Sequence, residues 1–273
     1  MLVDLRASAL SPLPPWPAGG LNPGPTGPSA LALGLAQSIE SAVQRGATQF
    51  TIASGLYRFS NLTLVVSGAR NLVVNVDAGT SFEFFLGYGV RWVDCDNVTV
   101  SGPLTLDVES ANYAQGTVTA IHDADHSFSA SFDPRFLVPD CTAEPFSMAG
   151  GLAGAKVAFW NASTRRMFNV GNQFMANSSS QGGKAWRVQL RARPNGASVG
   201  ALVTVFPRRG ETWHLLNSSR FTTHGITIHG GGNMGFLEQS GEGGNVYSSV
   251  AIRRRPGSAG LIALNADGAS ALT

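Results

Sequence analysis

The sequence predicts an all-β protein: a right-handed parallel β-helix, or solenoid, with an N-terminal cap helix and an inserted antiparallel β-barrel or sandwich. Three observations predict it. Short β-branched runs recur at a regular step, a single amphipathic helical stretch stands ahead of them, and the repeats at Asn97 and His224 are separated by far more chain than one step absorbs.

Residues 1–28 form a Pro/Gly-rich lead-in. From Ser29 to Gln44 the residues Leu31, Leu35, Ile39 and Val43 recur four apart, which predicts a helix, and Gly46 stops it. Beyond it the pattern changes to short strands at Gln49–Ala53, Leu62–Val66, Leu72–Val76, Val90–Val93, Val98–Val100 and Leu104–Leu106, spaced too closely for helical crossovers. Asn71-Leu-Val-Val recurs as Asn97-Val-Thr-Val, His224-Gly-Ile-Thr-Ile as Ser249-Val-Ala-Ile, and Gly235-Phe-Leu-Glu as Leu261-Ile-Ala-Leu. Each recurrence spans about 25 residues, within the range of solenoid repeats. One such step is one coil, in which each strand stacks on its counterpart and inward positions are Val, Ile and Leu. The helix then covers the open edge of the first coil. Between coils, Lys156–Trp160, Ala185–Leu190 and Ala201–Phe206 alternate as antiparallel strands, the last two joined by a turn at Pro194-Asn195-Gly196. The expected organisation is therefore lead-in 1–28, cap helix and first coils 29–116, inserted β-domain 117–222, and further coils 223–273.

The chain has 273 residues, 43% of them hydrophobic, enough for a sizeable core. Nineteen Lys and Arg against 17 Asp and Glu give a formal charge of +2. Nothing here asks for a nucleic-acid or strongly acidic partner. Two cysteines, Cys95 and Cys141, exclude a disulfide-stapled miniprotein and leave one disulfide open. Met1 to Gly20, broken by four prolines, does not read as a signal peptide, and no apolar run is long enough to span a membrane. Five sequons, at Asn61, Asn97, Asn161, Asn177 and Asn217, point instead toward secretion.

Segment 46–120, with a Gly-Xaa-Tyr turn (Gly55-Leu56-Tyr57) and Asn97-Val-Thr-Val-Ser-Gly102, resembles the opening of pectate-lyase-superfamily β-helix proteins. Tyr113-Ala-Gln-Gly-Thr-Val-Thr-Ala-Ile121, the insert, and Glu238 to Tyr247 through Asn265-Ala-Asp-Gly268 are similar to β-helix glycoside hydrolases of the α-1,3-galactosidase type. The resemblance implies inverting hydrolysis of a polysaccharide or glycan, with Asp267 at the family's first acidic position as catalytic carboxylate. It implies a further acidic pair about one coil later, past Thr273, so the chain reads as a C-terminally truncated member. No cofactor or metal is expected.

Other residues add to this. Glu238 and Glu242 share a Gly-rich loop, where two carboxylates serve as an acid/base pair, bind sugar hydroxyls, or form a solvated turn. His224 and His229 flank a strand, in structural or sugar-binding roles. Arg253-Arg-Arg255 suits an anionic sugar or a solvated face. His122-Asp-Ala-Asp-His126 follows a strand into a turn, where i,i+4 histidines do not share a face, so it is not read as a metal site. Tyr57, Tyr113, Trp92 and Trp160 are either sugar platforms or buried stacks. The alternatives to hydrolysis are a non-catalytic carbohydrate-binding solenoid and a polysaccharide lyase.

Overall fold

The computed structural model describes residues 27–85, 88–108, 113–134, 136–142, 146, 154–168, 173–207, 210–231, 234–253 and 269–272. Helix α1 (Ala30–Gln44) begins at Ser29, whose Oγ accepts the Ala32 amide at 3.2 Å. It ends in a Schellman arrangement: Ala47 N–H donates to the Ala42 carbonyl and Gly46 N–H to that of Val43, with Gly46 at φ +66°. The helix closes the first coil by burying Ala32, Leu35, Ile39 and Ala42. This stripe differs from the expected one, for Leu31 is 49% exposed and Val43 only half-buried. Strict i+4 spacing drifts about 40° round the helix at each step, whereas alternating steps of three and four hold one face.

Among the described residues five coils follow, each with three faces. The first holds β1 (Gln49–Ile52), β2 (Gly55–Ser60) and β3 (Leu64–Ser67), and the second β4 (Val73–Val76), β5 (Thr80–Phe84) and β6 (Val90–Val93). In the third, β7 (Thr99–Val108) runs through two faces before the chain leaves the solenoid. It builds a barrel from β8 (Ala114–His122), β9 (Ser127–Phe132), β10 (Lys156–Trp160), β11 (Gln173–Gly182), β12 (Ala185–Leu190) and β13 (Leu202–Phe206), and returns as β14 (Trp213–Leu216) on the third face. β15 (Thr222–Ile228) and β16 (Phe236–Gln239) make the fourth coil, and β17 (Val246–Ser248), β18 (Ala251–Ile252) and β19 (Ala269–Leu272) the fifth. All pairing between coils is parallel: β1-β4-β7-β15-β17 on the first face, β2-β5-β7-β15-β18 on the second, and β3-β6-β14-β16-β19 on the third.

On the first face Gln49 pairs with Val73 and Val73 with Thr99, which sets the step of the early coils. Thr99 pairs next with Thr222, so the register runs unbroken across the whole excursion. Two expected repeats are corrected. His224 pairs with Ser248, one residue short of the expected Ser249. Phe236 pairs with Ala269, a longer step than that to the expected Leu261 repeat, which lies outside the described residues. Gly55-Leu56-Tyr57 opens β2 and is not a turn.

The corner between the third and first faces explains the recurring Asn. Gly68, Asp94, Asn217 and Ser240 open it, and Asn71, Asn97, Arg220 and Gly244 close it, all at positive φ. Asn and Asp tolerate that region because their side chains bond locally. Here they bond up the stack, Asn97 Nδ2 to Asn71 Oδ1 at 2.7 Å and Asn217 Nδ2 to Asp94 Oδ1 at 2.5 Å. Inside the corner Ala69, Cys95 and Ser218 are buried one above another, with Ser218 Oγ 3.1 Å from the Cys95 amide.

The barrel is closed and antiparallel, in the order β10-β11-β12-β9-β8-β13. Phe128, Phe159, Met175, Val188 and Val203 are fully buried in its packed interior. The expected hairpin at Pro194-Asn195-Gly196 is absent, since β12 lies between β11 and β9 while β13 lies between β10 and β8. Gly182 and Gly183, both at positive φ, make the true hairpin with β11. Asn195 is instead tied to Gln173, which donates to its carbonyl at 2.9 Å and accepts its amide at 3.0 Å, so the turn motif steers the chain across the barrel end.

Both cysteines are free thiols. Cys95 is sealed in the solenoid corner, where burial raises its pKa, and Cys141 lies against β11, 3.2 Å from Asn177 Oδ1. Tyr57, Trp92 and Tyr113 are buried packing residues and not sugar platforms, while half-buried Trp160 donates its indole N–H to Thr204 Oγ1 at 2.9 Å. No helix among the described residues is long and apolar enough to cross a membrane.

Candidate functional site

Side chains on a strand alternate between faces, so the register fixes which residues share the outside of the solenoid. On the second face Tyr57, Phe82, Leu106 and Ile228 point inward and form the core. Their C-terminal neighbours point outward, making one row across five coils: Arg58, Glu83, Asp107, His229 and Arg253. Every position in that row is ionisable, in a chain with only 13% charged residues. The row stands where β7 leaves the solenoid for the barrel.

Its members are in different states. Arg58 Nε meets Glu83 Oε2 at 3.1 Å, both partly exposed. Asp107 is only 8% exposed, and its Oδ1 accepts the Val108 amide at 2.8 Å. His229 is half-buried, with Nδ1 3.1 Å from the Arg253 carbonyl oxygen. The Arg253 guanidinium is exposed. Beside this row, the outward positions Ser81, Thr105 and Thr227 carry hydroxyls, and Asn75, Ser101, His224 and Ser248 form a polar row on the first face.

Of the residues singled out in the sequence, Asp267 lies outside the described residues. His224 is exposed on the first face, with Nδ1 2.8 Å from Ser248 Oγ. Arg253 belongs to the charged row. Glu238 pairs in register with core residue Leu215 and so points into the solenoid, where Asn245 Nδ2 donates to Oε1 at 2.7 Å and the Tyr247 hydroxyl donates to Oε2. Burial, and then Glu238, push the Tyr247 phenol far above its ordinary range. Glu242 is exposed at the corner, its amide donating to Ser219 Oγ at 2.8 Å. The structure thus places Glu238 and Glu242 on opposite sides of the wall. In the barrel, Asp123 pairs with Arg193 and Asp125 with Arg187, so the carboxylates of the His122–His126 segment are matched by arginines.

One ionisable residue of the solenoid wall had no signal in the sequence. His214 points outward from β14, between core residues Trp213 and Leu215, yet is 4% exposed. Burial lowers its pKa against the opposing pull of Glu211, whose Oε2 is 3.7 Å from Nδ1; Arg91 lowers it further and Gln239 raises it. Because the folded pKa is depressed, the unfolded chain takes up the proton first, and stability falls as pH drops through about 6.5. His214→Gln is expected to flatten the acid side of a plot of unfolding free energy against pH, between about pH 7 and pH 5. Curves that coincide for both proteins would show that His214 does not carry the effect.

No protein-family model matches the sequence, and no curated protein matches it. Among solved structures the chain is similar to the Gp54 tailspike of Acinetobacter baumannii bacteriophage AP22, solved in complex with A. baumannii capsular saccharide. The two are 12% identical over 81% of this chain, with a TM-score of 0.27, and this chain spans 32% of the tailspike's length. The functional reading therefore rests on the residues of the outer face.

Proposed function

We propose that the protein is a carbohydrate-interacting β-solenoid that takes an extended glycan across the outer second face at the foot of the barrel. One observation carries this reading: the outward row Arg58, Glu83, Asp107, His229 and Arg253, flanked by the hydroxyls of Ser81, Thr105 and Thr227. Strands stand about 4.8 Å apart, so successive coils repeat donors and acceptors at roughly the length of a sugar unit. A polysaccharide partner and an extracellular address go with this reading.

The finer proposal is hydrolysis with inversion. Glu83 and Asp107 are outward carboxylates on neighbouring strands, nominally about 4.8 Å apart, while inversion needs about 6.5–9.5 Å to admit a water. Arg58 draws the Glu83 carboxylate to the side away from Asp107, which widens the gap in the required direction. In this reading Asp107 takes the place of the acid and Glu83 that of the base.

The test is Asp107→Asn, which keeps the Oδ1 acceptor for the Val108 amide. Glycan binding is expected to persist while release of reducing ends falls about 10²–10⁴-fold. Proton magnetic resonance of the first product reads the anomer. Hydrolysis unchanged by the substitution would remove Asp107 from the chemistry, and binding by the wild type with no product released would select the non-catalytic solenoid.

A further inference from the structure

Within the proposed glycan site, and resting on that reading, we infer that Arg253 and His229 form a subsite for an acidic sugar, with the sugar carboxylate on the guanidinium and a neighbouring hydroxyl on the imidazole. His229 Nδ1 bonds to the Arg253 carbonyl oxygen at 3.1 Å. A carbonyl oxygen can only accept, so Nδ1 carries the proton. In the neutral ring that leaves Nε2 as an acceptor, and its lone pair has no partner among the described residues. The backbone of the fifth coil thus fixes the tautomer of a histidine on the fourth.

The same residue that fixes the ring also supplies the cation. Ile252 packs against the core, so the side chain of Arg253 points outward, and no carboxylate among the described residues pairs with it. The row's other arginine differs, since Arg58 is engaged by Glu83 at 3.1 Å. A planar guanidinium with open donors is matched by a carboxylate, which it holds through two parallel hydrogen bonds. In a uronic acid the carboxylate and the ring hydroxyls lie a few bonds apart. A ligand held by Arg253 therefore offers an O–H donor to the residue next along the row, and His229 Nε2 is there to accept it. A neutral hexose satisfies only the histidine.

Titration calorimetry with an oligogalacturonate and the matching neutral galacto-oligosaccharide tests this. The acidic oligomer is expected to bind at least about tenfold more tightly, and Arg253→Gln to erase that preference by weakening the acidic oligomer far more than the neutral one. His229→Asn keeps a donor to the Arg253 carbonyl but has no acceptor in place of Nε2, so it is expected to weaken both oligomers several-fold. His229→Gln, which puts an acceptor near the lost nitrogen, recovers part of that loss, as a merely structural histidine would not. Equal affinity for the two oligomers, or a preference that survives Arg253→Gln, overturns the acidic subsite and leaves the glycan reading standing. Failure of either oligomer, and of a broad glycan array, to bind overturns both.

Discussion

Gly102→Ala is expected to abolish soluble, folded protein. Gly102 joins the two halves of β7 at φ +139°, and a Cβ there would stand 2.1 Å from the Val76 carbonyl oxygen of the coil before it. That oxygen belongs to the backbone, so the methyl group has nothing to displace except the register of the stack. Gly225 lies directly below, at φ +74°, with its own missing Cβ 2.6 Å from the Gly102 carbonyl. The two glycines thus form a column in which each coil approaches the next through bare backbone. The unfavourable φ alone costs about 1–2 kcal/mol, and the clash raises the total to about 4 kcal/mol or more, a large part of a typical folding free energy of about 5–15 kcal/mol. Gly68→Ala is the control: φ is +69° but nothing lies within 4 Å of the added carbon. It is expected to remain soluble and to lower the unfolding midpoint only modestly. Equal stability of the two variants, measured by thermal unfolding, would refute the role given to coil contact.

The reach of the sequence can be judged from the same elements. Strands rich in β-branched residues, such as β4 and β6, were legible because Val-Val-Asn-Val and Val-Arg-Trp-Val show both composition and spacing. β2 and β5 were not, because Leu-Tyr-Arg-Phe and Ser-Phe-Glu-Phe alternate aromatic with charged residues and contain no β-branched run. The charged row begins on those two strands, at Arg58 and Glu83, and so escaped notice. Asp107 escaped for another reason: the whole barrel separates it in sequence from its neighbour His229, and only the parallel register of β7 with β15, restored after the barrel, makes them adjacent. The barrel itself was legible as surplus length and alternating strands. Its strand order was not, because Pro-Asn-Gly marks a turn without saying which strand follows it round the barrel. Glu238 shows the limit at a single residue: the sequence reads it as part of a Gly-rich loop, the structure places it on β16, and nothing in the sequence tells an exposed carboxylate from an inward one satisfied by Asn245 and Tyr247.

Trp213→Ala is expected to cost about 3–5 kcal/mol, whereas Trp213→Phe is expected to be close to neutral. Trp213 begins β14, the strand by which the chain re-enters the solenoid from the barrel, and it is 1% exposed. Its ring centroid is 5.8 Å from that of Trp92 on β6, which in turn meets Phe221 edge-on at 5.1 Å, so the Trp213 ring ties the returning strand to the coil before it. Truncation to Ala would open a cavity among strands whose backbones are fixed by parallel ladders and cannot collapse into it. The indole N–H is buried with no hydrogen-bond partner among the described residues. Phe removes that unsatisfied donor, worth about 1–3 kcal/mol of desolvation, and gives back a smaller amount in lost ring contact. The two substitutions together separate volume from polarity, with denaturant unfolding as the readout. Similar losses for both would mean that the N–H does have a partner in solution. A small loss for Ala would mean that the third face tolerates a void, and that the barrel, held at its foot by β7 and β14, is anchored by β7 alone.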